Sequence, residues 1–70
     1  MQFAFTNHAL ERMRFRRIEQ NDVLDALRFP DIIQKKEYKY LYRKRVSAGI
    51  IEIVCEKTEN HLKIITVYWV

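Results

Sequence analysis

A histidine and two arginines recur at intervals of four residues near the start of the chain: His8, Arg12 and Arg16. In a helix this spacing brings the three side chains onto one face. An imidazole titrates near neutral pH and can give or take a proton, while guanidinium groups bind phosphate through two parallel hydrogen bonds. These three residues, which we call the stripe, therefore have the groups needed for acid–base chemistry beside a phosphate.

Thr66 and Tyr68 bring hydroxyl groups from near the other end of the chain. They are two residues apart in a predicted strand, so both side chains point to the same side of a sheet. Both can form hydrogen bonds, and Tyr68 can also supply a proton. Together with the stripe they meet the needs of RNA cleavage by 2′-hydroxyl attack: a proton acceptor, a proton donor and cations that stabilise a pentacoordinate phosphorane.

The sequence lacks the motifs that are typical of several other kinds of catalytic and binding site. The sequence has no glycine-rich phosphate loop, no zinc-ligand spacing and no nucleophile elbow. NTP hydrolysis by a P-loop is thereby excluded. Because His8 and His61 are far apart and the carboxylates are scattered, neither a metal nor a cofactor is expected.

Each candidate residue also has a simpler explanation. A lone helical histidine such as His8 is more often a surface or capping residue than a catalyst. The two arginines can pair with nearby surface carboxylates, which contributes little to stability. Thr66 and Tyr68 are good strand formers, so sheet propensity alone accounts for them.

Positive charge is concentrated in two segments of the chain. Thirteen Lys and Arg residues face nine Asp and Glu residues, giving a net charge of +4. Residues 12–17 hold four arginines, and residues 35–45 hold six Lys and Arg residues with tyrosines between them. Such clusters attract phosphates, although a solvated charged face is the alternative, and the tyrosines either stack bases or pack beneath helices. The RNA contacts expected in the second segment are Tyr42, Arg43, Lys44 and Arg45.

The pattern up to Pro30 predicts two short helices. Thr6 is placed to cap the first, which runs to about Arg16. The second extends from roughly Gln20 to Arg28, and Pro30 ends it.

After Pro30 the pattern alternates and predicts strands. Ile32 and Ile33 open an extended segment, Tyr38 to Val46 forms a long strand, and residues 47–49 form a tight hairpin. Ile50 to Glu56 and Leu62 to Val70 are the last two strands, separated by a turn at residues 57–60. Apolar residues on both faces of the last strand indicate an interior position in the sheet. The predicted fold class is α+β, with two N-terminal helices packed on a three- to four-stranded antiparallel sheet.

Seventy residues are too few for two cores, so residues 1–70 are expected to form a single domain. Cys55 is the only cysteine and lies in an apolar run, which indicates a buried thiol. The N-terminal residues lack the features of a signal peptide, and no apolar run is long enough to cross a membrane. These features predict a cytoplasmic location.

The opening motif His8-Ala9-Leu10-Glu11-Arg12-Met13, continued by Arg16 and Ile18 and ending in Ile65-Thr66-Val67-Tyr68, resembles a family of small bacterial and archaeal domains (domain of unknown function 4258). That family is similar to the wider group of RelE- and ParE-like toxins, which includes barnase-like and colicin-like nucleases. The resemblance implies helices packed on an antiparallel sheet. It also implies that His8, Arg12 and Arg16 carry the motif, with Thr66 and Tyr68 on a late strand of the site. Arg17 stands where the family commonly has glycine, and Glu19 where a Ser or Thr cap is usual.

These observations together predict a toxin of a toxin–antitoxin system that acts as a metal-independent endoribonuclease. The first alternative is a nucleic-acid-binding module without catalysis, and the second is a ParE-like inhibitor of a protein target. The expected partners are RNA and an acidic antitoxin protein, and a homodimer through the apolar last strand is a further option.

Overall fold

The computed structural model describes residues 2–70 and contains a single sheet with two helices. The chain begins with strand β1 and then forms helices α1 and α2 before the remaining strands. The bounds are β1 (Gln2–Phe5), α1 (Asn7–Phe15), α2 (Gln20–Arg28), β2 (Ile32–Lys36), β3 (Lys39–Val46), β4 (Gly49–Lys57) and β5 (His61–Trp69). The strand order in the sheet is β1-β5-β4-β3-β2.

The predicted α+β class is confirmed, whereas the prediction of a three- to four-stranded, wholly antiparallel sheet is wrong. The sheet has five strands, because Gln2–Phe5 adds a strand parallel to β5 with Phe3 opposite Leu62. This pairing joins residues about sixty positions apart, so no local pattern indicates it. It also places β5 between β1 and β4, which confirms the interior position predicted for the last strand.

One side of the sheet, the helix face, carries the hydrophobic core. α1 packs on β5, and α2 packs on β3 and β4. The buried residues of both helices form one cluster with those of β4 and β5: Ala9, Met13, Ile18, Val23, Ala26, Leu27, Ile51, Ile53, Cys55, Leu62, Ile64 and Val67. Cys55 has no exposed surface, and burial raises the pKa of its thiol to about 12. The buried thiol predicted from the sequence is thus confirmed.

Both helix starts lie where the sequence places them. The Thr6 hydroxyl accepts a hydrogen bond from the Ala9 amide at 3.0 Å and donates to the Ile64 carbonyl at 2.9 Å, so the cap of α1 is also an attachment to β5. Glu19 precedes α2 without a side-chain capping bond. Neither helix is long and apolar enough to span a membrane among residues 2–70.

Helix α1 ends in a Schellman motif centred on a strained residue. The Ile18 amide donates to the Met13 carbonyl at 2.8 Å and the Arg17 amide to the Arg14 carbonyl at 3.2 Å. Ile18 and Met13 are both buried, as the apolar contact of this motif requires. Arg17 has a φ of +55°, in the left-handed region that favours glycine. A glycine at this position would meet that conformational demand without strain.

A β-bulge interrupts the pairing of β4 with β5. Val54 lies opposite Thr66 and Cys55 opposite Ile64, so Ile65 has no partner on β4. An unpaired residue shifts the alternation of side chains by one position. Leu62 and Ile64 therefore face the core before the bulge, whereas Val67 does so after it.

Arg17→Gly is expected to stabilise the protein by about 0.5–1 kcal/mol, because relief of the left-handed strain exceeds the added entropy of the unfolded chain. Urea unfolding measures the change. The matched control is Arg14→Gly, which removes the same charge from an exposed position inside α1 and should destabilise by about 1 kcal/mol. Equal destabilisation by both glycines would contradict the strain at Arg17.

Candidate functional site

The side of the sheet opposite the helices, the open face, carries a buried carboxylate. Side-chain alternation puts Glu52 on this face, between the core residues Ile51 and Ile53 of β4. Only 7% of Glu52 is exposed, and it is the only charged residue among residues 2–70 that is buried. A buried charge is costly unless it is paired, so its partners define the centre of this face.

Glu52 is held by one neighbour from each adjacent strand. Arg43 of β3 donates to Oε1 through Nε at 3.1 Å and through Nη2 at 2.8 Å. Tyr68 of β5 donates its hydroxyl hydrogen to Oε2. The register sets this geometry, since Glu52 lies directly opposite Arg43 on one side and Tyr68 on the other. We call these three residues the acid cluster.

The contacts within the cluster determine the charge of the Glu52 carboxyl and of the Tyr68 phenol. Burial alone would raise the pKa of Glu52, but hydrogen bonds from Tyr68 and Arg43 and the charges of Arg43 and Lys36 outweigh it, so the pKa lies below its usual value. The hydrogen bond to Glu52, with burial, raises the pKa of Tyr68. At neutral pH the carboxylate is therefore ionised and the phenol protonated.

A depression in the open face gives access to the acid cluster. Its volume is about 280 Å³, and it is lined by Ile32, Ile33, Gln34, Leu41, Arg43 and Glu52. The lining combines aliphatic side chains with the amide of Gln34, the guanidinium of Arg43 and the carboxylate of Glu52. Such a depression is suited to a small planar polar group next to an anion.

Arg16, the last residue of the His8, Arg12 and Arg16 stripe, lies at the edge of β5 that β1 leaves uncovered. β1 pairs only with residues 61–64. Arg16 donates from Nη1 to the Val67 carbonyl at 2.9 Å, and its own carbonyl accepts the indole hydrogen of Trp69 at 2.8 Å. Arg16 thus fixes the end of α1 against β5, a positioning role that the sequence did not indicate, and keeps further N–H groups for a ligand.

Arg12 and His8 lie one and two turns before this anchor on the same helix face. His8 is exposed and Arg12 is half-buried. The imidazole is thus not enclosed in apolar packing. Arg16 is the member of the stripe that contacts β5, while Thr66 and Tyr68 point from that strand to the open face.

Thr66 and Tyr68 share the open face because of the bulge at Ile65. Strict alternation from Leu62 and Ile64 would instead have turned both toward the core. The prediction that the two hydroxyls share a face therefore agrees with the structure, and Tyr68 is the one that joins the acid cluster.

The predicted RNA-contacting segment is divided between the two faces. Tyr42 packs against the core and Lys44 donates to the Phe29 carbonyl at 2.8 Å, both on the helix face. Arg43 and Arg45 point to the open face. Tyr40, like Tyr42, packs against the core, which decides between packing and base stacking for these two tyrosines.

Glu52 is the functional residue that the sequence reasoning missed. The available signal was a charge within the apolar run Ile50-Ile51-Glu52-Ile53-Val54. A central strand with one lone carboxylate indicates a partner across the sheet. Arg43 and Tyr68 are those partners, but identifying them requires the strand register. Among residues 2–70, no group of three His, Cys, Asp or Glu side chains is placed to hold a metal ion.

Glu52→Gln is expected to destabilise the protein at pH 7 by about 1–2 kcal/mol, a modest loss because the Arg43 side chain is 41% exposed. The folded-state pKa of Glu52 is lowered, so its contribution is complete above the unfolded value near 4.5 and is lost as pH falls through the folded value. The difference in unfolding free energy between wild type and variant should therefore shrink as the pH falls below about 4.5. Chemical denaturation at a series of pH values measures it, and a difference independent of pH would contradict the ionised cluster.

Comparison with known proteins gives one match. The family model described as a domain of unknown function (DUF4258) matches residues 5–69, which include α1, α2 and the strands β2 to β5. No curated protein matches the chain. No solved structure matches it either.

Proposed function

We propose that this chain, which belongs to the DUF4258 family, is a metal-independent endoribonuclease that binds RNA on the open face. The observation that carries the proposal is the acid cluster, in which an ionised, buried carboxylate lies beside a guanidinium on the open face. The depression that exposes Glu52 and Arg43 is the place for the reacting nucleotide.

In the proposed reaction, Glu52 accepts the proton of the 2′-hydroxyl as its oxygen bonds to phosphorus. Arg43 stabilises the charge of the phosphorane. The bond from phosphorus to the 5′-oxygen then breaks, and that oxygen takes a proton from Tyr68, whose hydroxyl lies on the open face. The products are a 2′,3′-cyclic phosphate and a free 5′-hydroxyl.

The similarity to RelE- and ParE-like toxins belongs to this proposal. Two helices on one face of a largely antiparallel sheet support it, since they leave the opposite face free for substrate. A toxin of this kind would act in the cytoplasm and be neutralised by an acidic antitoxin.

Binding without catalysis is the second candidate, and one observation favours it. Glu52, with a lowered pKa, is a weak base, and Tyr68, with a raised pKa, is a weak acid. A mutually bonded pair of this kind is suited to holding Arg43 toward a phosphate. Analysis of the reaction products separates the two functions.

The purified chain in EDTA should cut a DNA oligonucleotide that contains one ribonucleotide, only at that nucleotide, and leave a 2′,3′-cyclic phosphate. Mass spectrometry identifies the product. The control oligonucleotide carries a 2′-O-methyl group at the same position and should stay intact while still binding. Binding of both oligonucleotides without cleavage of either would leave the non-catalytic module as the function, and binding of neither would overturn both.

Glu52→Gln should lower the cleavage rate by about 10²–10⁴-fold, the usual loss when a general base is removed. Glu56→Gln, on the same face of β4, is the matched control and should retain the rate. Tyr68→Phe tests the proton donor in the same way, and His8→Ala tests whether the stripe contributes, with His61→Ala, at the start of β5, as its control. A loss of rate in His8→Ala with none in Tyr68→Phe would assign the proton to His8, and full activity of Glu52→Gln would contradict the mechanism.

A further inference from the structure

Strand β2 forms an uncovered edge of the sheet. It pairs only with β3, and all five of its residues are exposed. Ile32 and Ile33 are 54% and 53% exposed, and neighbouring Phe29 is 67% exposed. Because the peptide groups on the outer side of an edge strand have no partner, such an edge is a template for another strand.

A bulge and a proline, two of the usual protections of an edge, are missing from β2. Its pairing with β3 runs without a bulge from Ile32 to Lys36, and the strand contains no proline. The uncovered half of β5, in contrast, is blocked by α1 and the Arg16 side chain. Only the charges of Lys35 and Lys36 oppose strand addition at β2, and they oppose a basic strand while attracting an acidic one.

The groups that face outward can be assigned from the hairpin. Lys36 and Lys39 close a two-residue turn, which makes them a hydrogen-bonded pair. Peptide groups alternate along a strand, so those of residues 32, 34 and 36 face β3 and those of Ile33 and Lys35 face outward. The bond from the Asp31 amide to the Arg43 carbonyl agrees with this alternation, since it shows Arg43 facing β2.

Charge along the edge is uneven and selects the partner. Lys35, Lys36 and Lys39 lie at one end, and Ile32 and Ile33 at the other. The carboxylate of Asp31 already accepts from the Arg45 amide and lies 3.8 Å from Lys44, and Glu37 is in the turn. The lysine end therefore keeps unneutralised positive charge.

A second copy of the chain does not match this pattern. In the full antiparallel register Ile32 would lie opposite Lys36 and Ile33 opposite Lys35. In the parallel register lysines would oppose lysines, which destabilises the pair.

We propose that the β2 edge binds an extended segment of a partner protein, which adds to the sheet as an antiparallel strand. Two acidic residues of that segment lie opposite Lys36 and Lys35, a polar residue lies opposite Gln34, and two β-branched apolar residues lie opposite Ile33 and Ile32. Backbone bonds to Ile33 and Lys35 supply affinity, and the charges set direction and register. This inference does not depend on the proposed nuclease activity.

The test uses the full ¹⁵N-labelled chain and a synthetic peptide with the core Glu-Glu-Thr-Val-Ile. NMR titration should shift the amides of residues 32–36 and slow hydrogen exchange at Ile33 and Lys35. Ile33→Pro removes an outward-facing N–H that β3 does not use, so the fold should persist and binding should be lost. Ile33→Val keeps that N–H and is the matched control.

A charge exchange provides a second test that leaves the strand backbone unchanged. The double variant Lys35→Glu and Lys36→Glu should bind the acidic peptide about tenfold more weakly and instead bind a peptide with Lys-Lys-Thr-Val-Ile. Equal binding of a scrambled peptide, shifts centred on the acid cluster, or a dimer that Ile33→Pro disrupts would each overturn the proposal.

Discussion

The rest of the fold depends on strand β5. It pairs with a strand on each side, and both ends of helix α1 are attached to it. β1 pairs with its first half, and β4 pairs with Leu62 to Trp69 except at the bulge residue Ile65. The Thr6 hydroxyl attaches the start of α1 to Ile64, and Arg16 attaches its end to Val67. Both ends of the helix are therefore attached to the strand that carries Thr66 and Tyr68.

The acid cluster explains how a charge is tolerated inside the sheet. Glu52 loses most of its water, and hydrogen bonds from two neighbouring strands replace it. Such a carboxylate adds little net stability, because desolvation offsets much of the attraction. Its main effect is on geometry, because it orients Arg43 and Tyr68 on the face that the helices leave free. This preorganisation is the basis of the proposed function.

Much of the local structure could be predicted from the sequence, because local signals control it. The Thr6 cap, the stop at Pro30 and the short hairpin at residues 47–48 all depend on neighbouring residues. β1 could not be predicted, since four residues of strand gain their partner only from β5. The parallel pair is a property of the folded chain rather than of either segment.

The candidate site shows the same division. The types of Arg43 and Tyr68 pointed to phosphate chemistry, but Glu52 reads as part of an apolar strand until the register places it between them. Arg16 was predicted as one member of a helical stripe, whereas its bond to the Val67 carbonyl depends on where β1 stops covering β5. Residue type is local information, whereas partnership across a sheet is not.

The unpaired Ile65 has a consequence for how β5 tolerates substitution. Before Ile65, the even-numbered residues Leu62 and Ile64 are buried in the core. After it, the odd-numbered residue Val67 is buried there. A saturation scan along this strand should show permissive positions changing parity at residue 65. Straightening of the strand with Ile65 retained would bring the phenol of Tyr68 against the helices and leave Glu52 without one of its two donors, whereas deletion of Ile65 would keep Tyr68 on the open face.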